Sequence, residues 1–232
     1  MTVNSKYFLM IFLFVLKSYA GVMPSQSRII FEESDKNVSL MLVNTNDYPV
    51  IVQTWIDKGE GSPDSSTIPF VSIPPVFRLE PKGVNGVRIM RNEIAMPMDQ
   101  ESIFWFNIFE IPPEKKGGTP ENSVLVTMNT QIKLFYRPKS INISSQDAIR
   151  KLTCQKKDET TIACKNNSPI HLSVIDITTK KGSKLTQETR NKELMLYPYS
   201  QLLYHFDRAI FLSDGIIFHY IDDVGNHQRF IL

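Results

Sequence analysis

Two cysteines and four histidines are all that this 232-residue chain offers to thiol or imidazole chemistry. His171, His205, His219 and His227 show neither His-x-x-x-His nor His-Glu-x-x-His spacing, so no metal site is expected. Gly-x-Ser-x-Gly and the phosphate-cradling glycine loop are both missing, and no nucleophile–base pair can be assembled for a hydrolase. Cys154 and Cys164 lie too far apart for a Cys-x-x-Cys redox motif. Asp222-Asp223 falls at a turn, where carboxylates bond backbone amides, and His219 on an alternating strand reads as packing or surface. These absences exclude the usual catalytic classes: no enzyme, cofactor or metal is expected.

Long hydrophobic runs are as scarce. The only one covers 7–16, preceded by Lys6 and followed by the small-x-small triplet Ser18-Tyr19-Ala20. It is too short to span a bilayer, and its flanks are those of a secretory signal over 1–20, with Gly21 as the first mature residue. Insertion in a membrane is not expected. The chain carries 26 Lys and Arg against 24 Asp and Glu. Both surplus cations, Lys6 and Lys17, lie in the signal, so the rest is formally neutral. Nucleic acid and anionic membrane lose their electrostatic footing as partners. In an oxidising compartment Cys154 and Cys164 would pair, the alternative being two inert buried thiols. A loop that short would stabilise by about 3 kcal/mol.

What is present is alternation. Period-two apolar patterns cover 28–31, 38–44, 50–58, 86–91, 103–110 and 124–136, then 161–165, 171–179, 194–196, 201–206, 216–221 and 229–232. No segment keeps a helical period over ten residues. Turns such as Lys82-Gly83, Lys116-Gly117-Gly118, Asp214-Gly215 and Gly225-Asn226 separate the strands. Short strands at this spacing predict an all-β chain of two antiparallel immunoglobulin-like sandwiches set at an angle. The proline of Arg137-Pro138-Lys139-Ser140 would end a ladder and stiffen a hinge, dividing the chain into 21–138 and 139–232.

The segment 123–138 stands out. Val124, Val126 and Met128 share one face and Leu125, Thr127 and Asn129 the other, which by alternation alone describes an ordinary half-buried strand. It is long, however, and follows a loop rich in Gly, Pro and charge at 112–122. A long strand with an apolar stripe at an exposed edge is a template for another chain.

Five blocks then carry a resemblance: Gln53-Thr-Trp-Ile-Asp57, Ile73-Pro-Pro-Val-Phe-Arg-Leu-Glu-Pro81 preceded by Pro69-Phe70, Glu101-Ser-Ile-Phe-Trp-Phe-Asn107, Glu110-Ile-Pro-Pro113 and Ile132-Lys-Leu-Phe-Tyr-Arg-Pro138. In order and spacing they resemble the signature blocks of the periplasmic pilus-assembly chaperones. Asn166-Asn-Ser-Pro-Ile-His171, Leu196-Tyr-Pro198 and Ile221-Asp-Asp-Val-Gly225 extend the likeness more thinly into the second half.

The resemblance implies a periplasmic protein that caps pilus or fimbrial subunits by donor-strand complementation and delivers them to an outer-membrane usher. Val124, Val126 and Met128 would fill the subunit's groove, a burial worth roughly 5–9 kcal/mol before association costs. Arg28 and Lys133 would grip the subunit's C-terminal carboxylate, although Lys133 has the opposite strand parity to the groove fillers. A twist, a bulge or a cleft below the groove must reconcile the two. Glu101, Arg137 and Asp223 would form an interdomain charge cluster, in a neighbourhood where Gln100 stands in place of the family's frequent arginine. The short 112–122 loop favours the short-loop class. Free copies could hide their apolar edges against each other as a self-capping homo-oligomer. The competing reading is an exported immunoglobulin-like adhesin or pilus structural subunit. Such a subunit should have an incomplete sandwich and a donor extension near its mature amino terminus, where this chain, once the signal is removed, has only the residues 21–27 before Arg28.

Overall fold

The computed structural model describes residues 21–63, 67–113 and 127–232. Fifteen strands are present among them. Those of the first half are β1 (Val22–Pro24), β2 (Arg28–Glu32), β3 (Asn37–Asn44), β4 (Val50–Asp57), β5 (Phe70–Ile73), β6 (Val76–Leu79), β7 (Val84–Arg91), β8 (Ser102–Ile111) and β9 (Met128–Arg137). The second half holds β10 (Thr153–Lys156), β11 (Thr161–Lys165), β12 (Ser173–Thr179), β13 (Gln201–His205), β14 (Ile216–Ile221) and β15 (His227–Ile231). Two single-turn helices, α1 (Ser145–Ala148) and α2 (Gln187–Arg190), are capped by the side chains of Ser144 and Thr186.

Each half is a sandwich. In the first, a four-stranded sheet β1-β3-β7-β5 faces a five-stranded sheet β2-β9-β8-β4-β6. The second packs β10-β11-β13 against β12-β14-β15. Alternation decides the inner faces: Leu40 and Leu42 of β3, Val87 and Ile89 of β7 and Ile132, Leu134 and Tyr136 of β9 meet in one core. Phe70 stacks edge-on against Phe31 and Phe104 at its centre, 5.1 and 5.2 Å between centroids. A separate core gathers Ile149, Ile162, Leu172, Ile177, Leu196, Tyr204 and Phe218. Cys154 and Cys164 are direct partners across the β10–β11 hairpin and are disulfide-bonded.

Several strands depart from the sequence reading. The first sandwich is not wholly antiparallel: β2 runs parallel to β9, Arg28 opposite Lys133 through Glu32 opposite Arg137. The chain starts in one sheet, where β1 pairs with β3, and crosses at Ser25–Ser27 to lie beside β9 in the other. No hairpin joins β2 to β9, so nothing forces them antiparallel. The expected strand at 194–196 is only an isolated bridge, Leu196 to Leu172. Strands β5 and β6, broken up by Pro69, Pro74 and Pro75, escape the pattern because each stands at a sheet edge, where proline is tolerated.

Candidate functional site

The site is built on β9. Its register with β8 is unbroken from Met128 opposite Glu110 to Tyr136 opposite Ser102. On the other side β2 covers only Lys133–Arg137. Among the described residues, then, the stretch 128–132 has a neighbour on one side and an open edge on the other. The early sheet switch of β1 is the cause, since a first strand that stayed beside β9 would have filled this lane. Val124 and Val126 lie outside the described residues; Met128 begins β9 and is 49% exposed.

From Met128 to Tyr136 the continuous register removes a bulge as the answer to the parity of Lys133. Ile132, Leu134 and Tyr136 point into the sandwich. Lys133, Phe135 and Arg137 therefore point outward, and there they meet the second domain: Phe135 packs on His171 at 5.4 Å and Arg137 bonds Asp223. Met128 has the parity of the inner face. The cleft between domains is what Lys133 enters.

Within that cleft Arg28 and Lys133 are adjacent. Arg28 is 9% exposed, and its Nη1 donates to Ser173 Oγ and to the Ile221 carbonyl, both at 3.1 Å. Its Nε is the one buried side-chain polar atom without a hydrogen-bond partner among the described residues. Burial lowers the Arg28 pKa, against the pull of Asp223, Asp222 and Glu101. Lys133 Nζ lies 3.3 Å from Met195 Sδ and 5.4 Å from the centre of the Trp105 ring. Burial also lowers the Lys133 pKa; Glu193 opposes the shift and the charge of Arg28 adds to it. Two mutually repelling, desolvated cations with an unused donor make a site for an anion.

Glu101, Arg137 and Asp223 are brought together below this pair. Arg137 Nη2 contacts Glu101 Oε1 at 2.8 Å and Arg137 Nη1 contacts Asp223 Oδ2 at 3.0 Å. Burial opposes the charge of Arg137, but its bond to Asp223 and the two carboxylates outweigh it, and its pKa is raised. Sequence reasoning missed His171, whose backbone N–H and Nδ1 both reach Glu101 Oε2 at 2.8 Å. It also missed Ser145, whose N–H donates to Asp223. The only signal for His171 was its place at the end of the Asn166–His171 block. Asp222 caps its turn as expected, accepting from the N–H groups of Val224 and Asn226.

A second missed group supports the open stretch of β9. Asn129 and Gln131, both on its outward face, donate to Asn107 Oδ1 at 3.1 and 2.7 Å. Asn107 in turn donates to Asp57 Oδ2 at 3.0 Å, and Asp57 accepts from Gly59 N–H and Trp55 Nε1. Asn107 and Asp57 are fully buried. This polar ladder crosses β9, β8 and β4 at right angles to the strands. Among the described residues no group of three or more ligating side chains could hold a metal, and no helix is long and apolar enough to cross a membrane.

Residues 21–142 match the family model described as pili and flagellar-assembly chaperone, PapD N-terminal domain. Residues 147–231 match pili assembly chaperone PapD, C-terminal domain. Chaperone protein FocC of Escherichia coli is 34% identical over 182 residues, 78% of each chain. Chaperone protein HifB of Haemophilus influenzae is 30% identical over 217 residues, 90% of this chain and 86% of its own. Among solved structures, the YadV chaperone superposes with a TM-score of 0.73 at 26% identity, covering 91% of this chain and 99% of that one. The Salmonella enterica SafB chaperone, solved in complex with the SafA pilin, has the same fold at a TM-score of 0.75 and 22% identity, covering 91% and 96%. The chain belongs to the family of pilus-assembly chaperones.

Proposed function

We propose that this pilus-assembly chaperone holds a fimbrial subunit in the periplasm by its C-terminal carboxylate, between Arg28 and Lys133, and by its last strand, along the open edge of β9, before passing it to an outer-membrane usher. The observation that carries the reading is the conjunction of an unpaired strand edge with two anion-seeking cations at its closed end. A carboxylate there accepts from the Lys133 ammonium and the Arg28 guanidinium, and relieves their repulsion.

The anchor also sets direction. If the guest's last residue sits beside Lys133, its preceding residues must extend back towards Met128. The guest then runs in the same sense as β9 and continues the lane that β2 occupies below it. Backbone bonds to the edge supply affinity, and Val124, Val126 and Met128 reach its groove. Glu101, Arg137 and Asp223 hold the two domains at the angle that keeps the cleft open. The protein acts by binding, without catalysis, nucleotide or metal.

Co-expression with candidate fimbrial subunits and purification of periplasmic complexes tests this. Arg28→Ala and Lys133→Ala should each cut complex yield at least tenfold. The two should differ in stability: Arg28→Ala also removes bonds to Ser173 and Ile221 and should cost about 1–3 kcal/mol, whereas Lys133→Ala removes a desolvated charge and should cost nothing. Val126→Asp should abolish capture while the free protein stays folded. Undiminished yield in both cation variants would remove the anchor, and unfolding of the Val126→Asp protein would make that residue ordinary core.

A further inference from the structure

Glu110 closes β8 at the rim where β9 sets out, directly opposite Met128. It is 6% exposed. Its Oε2 accepts from the Val22 N–H at 2.9 Å and its Oε1 from the Asn46 side-chain amide at 2.7 Å. Both donors are neutral, and among the described residues no Lys, Arg or His is in ion-pair contact with it. A buried carboxylate held by neutral donors alone gains from an added cation.

Gly21 lies against this carboxylate. A Cβ there would stand 2.6 Å from Glu110 Oε2 and 3.6 Å from Met128 Sδ, and its φ of +76° also favours glycine. The Gly21 carbonyl is pinned by Thr45, through its N–H at 3.0 Å and its hydroxyl at 2.7 Å. The neighbouring charges, Lys82 and Asp47, pair with each other at 2.9 Å, and Lys82 also donates to the Thr45 carbonyl. Gly21 is thus held against an acid that has no cation among the described residues, and it directly follows the small-x-small triplet Ser18-Tyr19-Ala20.

We infer that Glu110 is the socket for the mature amino terminus. Hydrolysis of the Ala20–Gly21 amide by one water, catalysed by a signal peptidase, leaves a carboxylate on Ala20 and an ammonium on Gly21. That ammonium pairs with Glu110 and clamps β1 to the rim from which the lending strand starts. In the uncut precursor the same nitrogen is a neutral amide and the socket stays without its cation. Export processing therefore completes the end of the sandwich that receives subunits. The inference rests on the export-signal reading, and the experiment separates the two.

The protein is secreted with its own leader, isolated from the periplasm and weighed by mass spectrometry. The amine is then titrated by NMR through the Gly21 α-carbon, in the wild type, in Glu110→Gln and in a form carrying one extra alanine before Gly21. Free α-amines titrate at about 7.7–8.0. The wild-type midpoint should lie at least about one unit higher, and in both altered forms it should return to the ordinary range. An amine with a raised pKa contributes stability that is complete below its unfolded value and is lost as pH rises through the folded one. The melting temperature of the extra-alanine form should accordingly be lower than wild type near neutral pH and converge with it in alkali. That form keeps the test open should Glu110→Gln fold poorly. A leader that stays uncut overturns the export reading and the socket together, and a cut that leaves another residue first overturns the socket alone. Gly21 first, but titrating ordinarily, overturns the socket alone.

Discussion

The two halves of β9 are one strand in two environments. From Lys133 to Arg137 it has neighbours on both sides, its inner residues are in the core, and its outward residues touch the second domain. From Met128 to Ile132 it leans on β8 alone, and its outward residues are held by side-chain amides. A protein that lends a strand must keep it extended while leaving its backbone groups unspent. The closed half supplies rigidity through packing and charge; the open half supplies availability, and side-chain hydrogen bonds substitute for the missing neighbour.

The sharpest way to break the closed half is Arg137→Ala. It leaves buried Glu101 and partly buried Asp223 without their shared cation, and should cost about 3–5 kcal/mol in urea unfolding. A loss under 1 kcal/mol would mean that His171 and Ser145 satisfy the carboxylates unaided. The open half is broken separately by Asn107→Leu. Amide exchange should show protection over 128–132 falling about tenfold, a local cost near 1.4 kcal/mol, with protection at 134–136 unchanged. A uniform loss along β9 would show that Asn107 supports the sandwich as a whole and not the open stretch.

The smallest effect sharpens the comparison through pH. Burial disfavours the charged form of Lys133, so its folded pKa lies below its unfolded one. Between those two values the unfolded chain holds more protons, and stability should rise with pH across that alkaline window. Subunit capture should fall over the same window as Lys133 loses its charge. Lys133→Ala should show neither trend, and parallel changes in stability and capture would contradict the assignment.

How much of this was legible in the sequence depended on distance along the chain. Strands such as β3, β11 and β14 follow from alternation, and the adjacency of Arg28 and Lys133 from the resemblance. The parallel pairing of β2 with β9 was not legible, because alternation is identical for either direction of a neighbour. His171 binds Glu101 from 70 residues away, and nothing local to either residue announces it. Asp57 and Asn107 fell on the outward face of their strands, where alternation predicts solvent; a polar network makes burial tolerable there. The outward parity of Lys133 follows from alternation, but the position of the second domain that it meets does not.

The sheet switch of the first strand has a consequence for what subunits can be accepted. The cation pair lies at a fixed end of the open lane, so in the proposed capture it is the zero mark of a ruler graduated at about 3.3 Å per residue. A guest is measured from its own terminus, and side chains are admitted by their count from that point, whatever the rest of its sequence. Adding a single residue to the end of a subunit would shift every position by one graduation and turn its apolar face away from the groove. Length, as much as composition, is then the password.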